Sequence, residues 1–287
     1  MHIGDMAMKN KILNLTENII LNSDSYKCSH WMFLEENTHY STSYIEARKG
    51  SKYDETVFFG LQYILMTGFT TPVTAEMVDV AEAILVAHGE PFNREGWDYI
   101  VNEHNGFFPI RIKAIKEGTI VPINHAIIVV ESTDPKFNSA WAASFIETKL
   151  MRVWYPITVS THSREMVKAI RNALERTGDP SLATMKLVDF GSRGVTCKEQ
   201  SMIGGAAHLV NSVSTDNLLG MAMTLDYYQR PTTLEEAVSK ITANSIPATE
   251  HSVTTSWGKL RERDFFENIV RNILPKTGIC SVFFVLL

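Results

Sequence analysis

Residues 188–194 place an aromatic ring, a guanidinium group and two glycines in one short segment, Val-Asp-Phe-Gly-Ser-Arg-Gly. Phe190 offers a face on which a flat ring can stack, and the Arg193 fork suits a phosphate group. Residues 183–187 predict a buried strand before this segment, and the residues after it predict a helix start. Such loops lie at the carboxyl ends of strands in α/β proteins, where helix starts attract anions. The segment therefore predicts a ligand-binding corner, although a core phenylalanine and a surface arginine would also fit the pattern.

Two groups nearer the N-terminus also gather charged and aromatic side chains. Asp24, Tyr26 and Lys27 offer a carboxylate, a ring and an ammonium group to a ligand. Arg48 and Lys49 are adjacent and could meet a phosphate. Each group also has a simpler interpretation, because the first fits a solvated turn and the second fits a strand end that faces water.

Acidic residues in the second half complete the candidates. Asp216 stands just before an apolar segment and suits a helix start, where its charge is favoured by the helix dipole. Glu250 and His251 are adjacent in the segment that begins at Ser245, and a carboxylate can polarise an imidazole for nucleophilic or acid–base chemistry. A capping aspartate and a structural histidine are the alternatives at these positions.

Composition limits the classes of protein that the sequence fits. The chain has 287 residues, 45% of them hydrophobic, and a net charge of -5. With a pI near 6.0, the chain lacks the excess of basic residues that is typical of a nucleic-acid-binding protein. No apolar segment approaches the roughly 20 residues of a membrane span. Cys28, Cys197 and Cys280 are far apart and form no CxxC pair, which predicts a reducing compartment and no zinc site. We expect a soluble, cytoplasmic protein without a metal site of its own.

Hydrophobic periodicity predicts the elements that would position these residues. Residues 57–65 and 77–85 have helical spacing, 106–131 alternates as a small β layer, and 138–151 is helical again. The second half then predicts a helix at 162–176, a strand at 184–190, helices at 196–212 and 215–229, a short strand before Pro247 and a last helix through Phe266 and Ile273. The helix at 196–212 would begin with a capping box, Thr196 and Glu199. Alternating strands and helices imply a parallel sheet or barrel, so we predict an α/β fold with domains at 1–155 and 156–287.

Several short phrases stand out along the chain: Asp24-Ser-Tyr-Lys, Glu55-Thr-Val-Phe-Phe-Gly-Leu-Gln-Tyr-Ile-Leu, Trp154-Tyr-Pro-Ile-Thr-Val, Asp189-Phe-Gly, Arg193-Gly-Val, Ala207-His-Leu-Val-Asn, Thr215-Asp, Glu250-His-Ser and Trp257-Gly-Lys. Together they resemble the nicotinamide phosphoribosyltransferase family, which belongs to the type II phosphoribosyltransferases. They run collinearly from about residue 16 to 282, so the chain is similar to the N-terminal portion of the family over nearly its whole length. The resemblance implies an N-terminal mixed α+β layer followed by an incomplete type II phosphoribosyltransferase α/β barrel.

The family joins nicotinamide to 5-phosphoribosyl 1-diphosphate, which yields nicotinamide mononucleotide and diphosphate in NAD biosynthesis. The resemblance implies that Phe190 stacks on the nicotinamide ring, while Tyr26 from the second subunit of a homodimer covers the opposite face. It also implies that Asp216 accepts the carboxamide N–H and repels the anionic nicotinate. Asp24 and Ser245 join these residues in the substrate-binding set.

Phosphate binding and ATP coupling are implied in the same way. Arg193 and, from the second subunit, Arg48 would bind phosphate groups. His251 matches the family histidine that is phosphorylated when ATP hydrolysis is coupled to the reaction, and Glu250 lies beside it. Mg²⁺ would accompany the diphosphate substrate, with ATP as a non-obligatory activator.

The sequence also departs from the family pattern. Ser192, Val188 and Ser214 replace a common tyrosine, a histidine of the substrate tunnel and a glycine, and Ser214 could shift the loop that carries Asp216. The family continues for roughly as many residues again, including its ribose and phosphate loops, whereas the apolar residues 283–287 end this sequence. That ending predicts a truncated chain, although a last buried strand also fits. Nicotinate phosphoribosyltransferase, and a non-catalytic fragment that binds a full-length subunit, are the alternative functions.

Overall fold

An antiparallel sheet organises the N-terminal half of the protein. The computed structural model describes residues 15–135 and 140–277. Strands β1 (Thr42–Glu46), β3 (Ile110–Ala114) and β5 (Ala126–Ser132) form a three-stranded sheet in the order β1–β5–β3. Apolar and charged residues alternate along β3, so that Ile110 and Ile112 pack against the core while Arg111 faces water. The predicted β layer at 106–131 is confirmed.

A second antiparallel pair joins β2 (Glu55–Val57) to β4 (Ile120–Pro122). The helix predicted over 57–65 is therefore wrong at its start, because Val57 lies in a strand and helix α1 spans Leu61–Gly68. Gly60 precedes α1 at φ +103, a conformation that L side chains rarely adopt, and it ends the strand before the helical pattern begins.

Glu117, in the turn between β3 and β4, fixes the start of α1. Its carboxylate accepts the backbone N–H groups of Gly60 at 2.8 Å and Gln62 at 2.6 Å. It also accepts the hydroxyl of Tyr228 at 2.8 Å. A negative charge at a helix start satisfies free N–H groups and favours the helix dipole, so one side chain connects the sheet, the helix and the C-terminal half.

Four further helices surround the sheet: α2 (Ala75–His88), α3 (Arg94–Glu103), α4 (Ala140–Phe145) and α5 (Glu147–Met151). Thr74 caps α2 by accepting the N–H of Met77 at 3.2 Å. Trp97 of α3 makes edge-to-face contacts with Trp141 and Phe145 of α4, with ring centroids 4.9 and 5.0 Å apart. These aromatic rings hold the helices on the sheet.

Helix α6 (Trp154–Thr177) has 24 residues and starts well before the predicted 162–176. Pro156 lies in its first turn, where a missing N–H breaks no helical hydrogen bond, so the helix can begin before the proline. The buried face of α6 reaches β2, because the Ser160 hydroxyl donates to the Val57 carbonyl at 2.8 Å and Thr161 Oγ1 accepts the Val57 N–H at 2.9 Å.

The C-terminal half contains a small parallel sheet. Strands β6 (Val188–Asp189) and β7 (Ser214–Thr215) pair in parallel, and Asn244 adds an isolated parallel bridge to Ser214. Helix α7 (Lys198–His208) connects the strands, and α8 (Leu218–Met223) follows β7. The predicted strand at 183–187 is wrong, because Pro180–Met185 forms a 3₁₀ helix and only 188–189 is extended. Among the described residues this sheet does not close into a barrel.

The remaining segments are mostly short helices. A π-helical segment, Thr224–Gln229, extends α8, so the predicted helix at 215–229 starts later than expected. The prediction of a last helix through Phe266 and Ile273 is confirmed. The other elements are α9 (Leu234–Ser239), α10 (His251–Ser256), α11 (Glu262–Asn268), the π-helical Ile269–Ile273 and α12 (Leu274–Thr277).

One hydrophobic core contains residues from both halves, including Ile20, Phe58, Ile157, Ala206 and Met223. The domain division at 155 stays a prediction. Across the described ranges, no helix combines the length and the apolar character that crossing a membrane requires. The apolar ending at 283–287 and Cys280 lie outside the described residues.

Candidate active site

The loop after β6 holds Phe190 outside the core. Asp189 Oδ1 accepts the N–H of Gly191 at 2.6 Å, which closes the chain into the short 3₁₀ turn Gly191–Arg193. Phe190 is 59% exposed at this turn. A core phenylalanine is thereby excluded, and the ring is open for stacking. Arg193 is exposed on the same turn.

Asp216 lies beside this loop. Its N–H donates to the carbonyl of Asp189 at 3.0 Å, which joins the ends of the two parallel strands. Its carboxylate accepts the hydroxyl of Ser245 at 2.5 Å. The helix cap predicted for Asp216 belongs instead to Asn217, whose side chain accepts the N–H of Gly220. Asp216 is therefore a carboxylate oriented by a hydroxyl rather than a capping residue.

A cavity of about 270 Å³ opens next to Phe190. Its walls come from α6, β6, α7 and the residue after Asp216, and they include Tyr155, Asp189, Gly204, His208 and Asn217. Burial raises the pKa of the Tyr155 phenol above its usual value, so the ring stays neutral at physiological pH. In the part of the chain that the structure describes, Phe190 lines this cavity, whereas Arg193 and Asp216 do not, and neither does Tyr26 or Arg48.

The paired glycines Gly204 and Gly205 of α7 allow the close packing that their position in a helical pattern predicts. A Cβ at Gly204 would lie 2.5 Å from the hydroxyl oxygen of Tyr155. A Cβ at Gly205 would lie 2.7 Å from the Cα of Gly220 on α8. The glycines therefore pack against a ring and a helix and do not form a phosphate cradle.

His208, which sequence reasoning missed, supports the floor of the cavity. It is 7% exposed, and its Nε2 lies 3.3 Å from the carbonyl of Leu187 and 3.2 Å from that of Ser214. Its Nδ1 lies 3.1 Å from the Ser163 hydroxyl. Two carbonyls around Nε2 place the proton there, which leaves Nδ1 to accept from Ser163. The imidazole thus links α6 to the starts of both parallel strands.

The N-terminal candidates occupy a different surface. Asp24 Oδ2 accepts the hydroxyl of Thr148 at 2.9 Å, and Tyr26 is 54% exposed on the 3₁₀ helix Ser25–Cys28. Lys27 is buried and forms an ion pair with Glu147, so the turn is not fully solvated as the simpler interpretation requires. Arg48 follows β1 and is exposed.

Glu250 and His251 lie at the start of α10. Glu250 is the residue before the helix, and its carboxylate accepts the hydroxyl of Ser252. His251 is the first helical residue and is exposed. The strand predicted before Pro247 is reduced to the single bridge at Asn244, from which an extended segment leads to this helix.

The capping box predicted for α7 is also wrong. Cys197 is the residue before the helix, and Gln200 accepts the Thr196 N–H at 2.9 Å. Glu199 accepts the hydroxyl of Tyr63 at 2.9 Å instead. A tertiary contact with α1 thus replaces the local contact that the sequence spacing suggested.

Comparisons with known proteins match both halves of the chain. A model described as "Nicotinamide phosphoribosyltransferase, N-terminal domain" matches residues 18–112. A model of the "Nicotinate phosphoribosyltransferase (NAPRTase) family" matches residues 185–272. The crystal structure of human nicotinic acid phosphoribosyltransferase has a TM-score of 0.52 and 13% identity, and it covers 82% of this chain and 40% of its own. At that identity the likeness shows the fold alone, a mixed α/β fold of this type.

Two curated relatives are both named nicotinamide phosphoribosyltransferase. The protein from Xanthomonas campestris pv. campestris is 43% identical over 272 residues, which are 94% of this chain and 56% of the relative. The protein from Acinetobacter baylyi is 26% identical and covers 90% of this chain and 52% of its own length. The chain thus spans about half the length of the curated relatives that it matches. It belongs to the nicotinamide phosphoribosyltransferase family, of which it carries the N-terminal part.

Proposed function

We propose that this chain binds nicotinamide beside Phe190 and contributes that half of the site to phosphoribosyl transfer from 5-phosphoribosyl 1-diphosphate. One observation carries the proposal. The hydrogen bond from the Asp216 N–H to the Asp189 carbonyl holds an exposed ring and an oriented carboxylate at adjacent strand ends. A flat carboxamide suits this pair, because its ring can stack on Phe190 while its N–H donates to Asp216.

The charge of Asp216 selects the neutral base. Nicotinate would bring a second carboxylate to the same point, where two like charges ~4 Å apart cost up to about 4 kcal/mol at an effective dielectric of 20. A hydrogen bond from the carboxamide to a charged acceptor contributes about 1.5–3 kcal/mol in the other direction. We infer that nicotinamide, rather than nicotinate, is the substrate.

The reaction itself depends on positioning and on charge stabilisation. Loss of diphosphate leaves an oxocarbenium-like ribose, which the protein must hold against the base while it neutralises phosphate charge. We assign Arg193 to a phosphate group. In a homodimer, the Tyr26 ring of a second copy would cover the base, with Arg48 and Asp24 of that copy completing the substrate contacts.

We assign different roles to Mg²⁺ and ATP. Mg²⁺ neutralises charge on the diphosphate with which it arrives. Within the described ranges no three His, Cys, Asp or Glu side chains gather to hold a metal. The exposed His251 is the proposed phosphate acceptor for coupled ATP hydrolysis, with Glu250 beside it.

Calorimetric titration of the full chain with nicotinamide and nicotinate tests the proposal. We expect binding of nicotinamide and weaker binding of nicotinate. Asp216→Asn should weaken nicotinamide by about tenfold and relieve the penalty on nicotinate, because it keeps the side-chain size and removes the charge. Asp226→Asn, a neutralised carboxylate in the π-helical segment after α8, is the matched control. An unchanged ratio of the two affinities in Asp216→Asn would contradict the assignment of the base.

A further inference from the structure

Asn217 connects the two loops that carry Phe190 and Asp216. Its side chain is buried, with 2% of the residue exposed. Nδ2 donates to Asp189 Oδ2 and to the Ser201 carbonyl, each at 3.0 Å. Oδ1 accepts the Gly220 N–H at 3.1 Å and the Ser201 hydroxyl at 3.2 Å. Because donors surround one end of the amide and acceptors the other, the network fixes its orientation.

Asp189 connects Asn217 to the Phe190 loop through its two carboxylate oxygens. Its Oδ1 accepts the Gly191 N–H at 2.6 Å, while Oδ2 accepts from Asn217. One carboxylate therefore holds the turn behind Phe190 and the residue that follows Asp216. A donor at Asn217 Nδ2 is required for this double role, because a carboxylate can only accept when it is ionised.

We propose that Asn217 is a positioning residue, which sets the separation of Phe190 and Asp216 and thereby the affinity for a flat carboxamide. This inference rests on the proposed binding of the base beside Phe190 and Asp216. The hydrogen bond from Asn217 to Asp189 acts on the ligand only through the two residues that contact it. Loss of a residue that only stabilises the fold would change the melting temperature. It would not make the affinity for the base depend on a single donor atom.

Asn217→Asp is the decisive variant. It keeps the side-chain size and the acceptor for the Gly220 N–H, but it replaces the donor by a carboxylate facing Asp189 at 3.0 Å. Two carboxyl groups this close cannot both ionise readily, so the pair takes up a proton at a raised pKa. We expect nicotinamide affinity to fall about tenfold at about pH 7.5 and to recover toward wild type at about pH 5, where a shared proton restores a donor. The wild type, measured at both pH values, corrects for the titration of other groups.

The exchanged pair Asp189→Asn with Asn217→Asp provides the rescue. It restores a donor and an acceptor between the two positions in reverse direction, while the Ser201 carbonyl still lacks the donor that Asn217 supplies. The carboxamide introduced by Asp189→Asn keeps an oxygen that can accept the Gly191 N–H. Nicotinamide affinity at neutral pH should return most of the way. Thermal unfolding of each variant identifies any that fails to fold. An affinity that is unchanged in Asn217→Asp, or a loss that neither acid nor the exchange reverses, overturns the proposal.

A readout without ligand separates this inference from the proposed function. In chain labelled with ¹⁵N-glycine, the Gly191 amide resonance reports its hydrogen bond to Asp189. We expect that resonance to move in Asn217→Asp and to return in the exchanged pair. Absence of nicotinamide binding by the wild type would contradict the proposed function. In that case the Gly191 resonance still tests whether Asn217 positions the Phe190 loop. A Gly191 resonance that stays in place in Asn217→Asp overturns the positioning.

Discussion

At the scale of single residues, two lysines are buried in different ways. Lys27 is 6% exposed and forms an ion pair with Glu147. Lys149 is 5% exposed, and its ammonium group lies 3.5 Å from the Gly68 carbonyl and 5.5 Å from the centre of the Phe69 ring. Burial, with the nearby charge of Arg152, lowers the pKa of Lys149 to about 7. Lys149 therefore carries a desolvation cost that the ion pair offsets at Lys27.

Lys149 makes stability depend on pH. Its pKa falls from 10.5 in the unfolded chain to about 7 in the folded one, so the unfolded state binds more protons between these values. The free energy of unfolding should therefore rise with pH across that window, and the full penalty applies below it. Lys149→Met should flatten the rise and add about 1–3 kcal/mol at neutral pH. Urea unfolding at about pH 7 and pH 9.5 measures both effects.

Lys27→Met is the matched control for this substitution. It removes an equally buried ammonium group but leaves Glu147 without its partner, so it should destabilise the chain rather than stabilise it. A Lys149→Met variant with the same dependence on pH as the wild type would show that Lys149 stays protonated in the folded protein.

The sequence pointed to loop residues of the candidate site rather than to the residues that support those loops. Phe190 and Asp216 were candidates because a ring and a carboxylate in short loops can contact a ligand. The sequence analysis missed Tyr155, His208 and Asn217. Each lines the cavity or supports it by hydrogen bonds that depend on tertiary contacts. The pair Gly204-Gly205 was the available signal for Tyr155, because a glycine in a helix marks a close neighbour.

At the scale of elements, the contact between α7 and α8 sets the geometry under the cavity. A Cβ added to Gly220 would lie 2.5 Å from the Cα of Gly205, a backbone atom that cannot rotate away. The two helices must therefore separate if either glycine gains a side chain. Asn217 caps α8 at this contact, so any separation moves the hydrogen bonds to Asp189.

Gly220→Ala should lower the free energy of unfolding by about 1–3 kcal/mol, because overpacking forces the backbones apart. Gly68→Ala at the end of α1 is the control, since the nearest atom to its added Cβ is 4.0 Å away. Alanine there should be neutral or slightly stabilising. Chemical denaturation of both variants measures the difference, and equal stabilities would show that α7 and α8 can move apart without cost.

Element boundaries failed where tertiary contacts replaced local ones. The helix predicted at 162–176 begins at Trp154, because Pro156 is tolerated in a first turn. The first residues of the strand predicted at 183–187 belong to the 3₁₀ helix Pro180–Met185, and periodicity cannot separate short buried helices from strands. Elements with strong alternation or long periodicity, such as β3 and α2, were predicted within a few residues.

At the scale of the whole molecule, we propose that the chain presents one side of the site. It spans 56% of the length of the Xanthomonas campestris relative. Leu260 is 99% exposed and Leu234 is 81% exposed, so large apolar side chains of the C-terminal half face water.

We expect the 287-residue polypeptide alone to form no measurable nicotinamide mononucleotide. Each charge-stabilising donor in such a site is worth roughly 10²–10³-fold in rate, and the chain spans only 56% of the length of the Xanthomonas campestris relative. Mixing the chain with the remaining segment of the Xanthomonas campestris relative should give turnover that chromatography detects and that requires both polypeptides. The same mixture with Asp216→Asn controls for adventitious activity. Robust turnover by the chain alone would contradict this expectation.

The pairing of β1 with β5 has a consequence for biosynthesis. Thr42 pairs with Glu131, about 90 residues later in the chain, and β3 also pairs with β5. At a translation rate of roughly 5–20 residues per second, on the order of 5–20 s therefore pass between the emergence of β1 and that of its partner β5 from the ribosome. Its hydrogen-bonding edges and Ile45 are open to other nascent chains and to chaperones during that interval. The N-terminal layer becomes a sheet only after Ser132 has emerged, although its first strand is made much earlier.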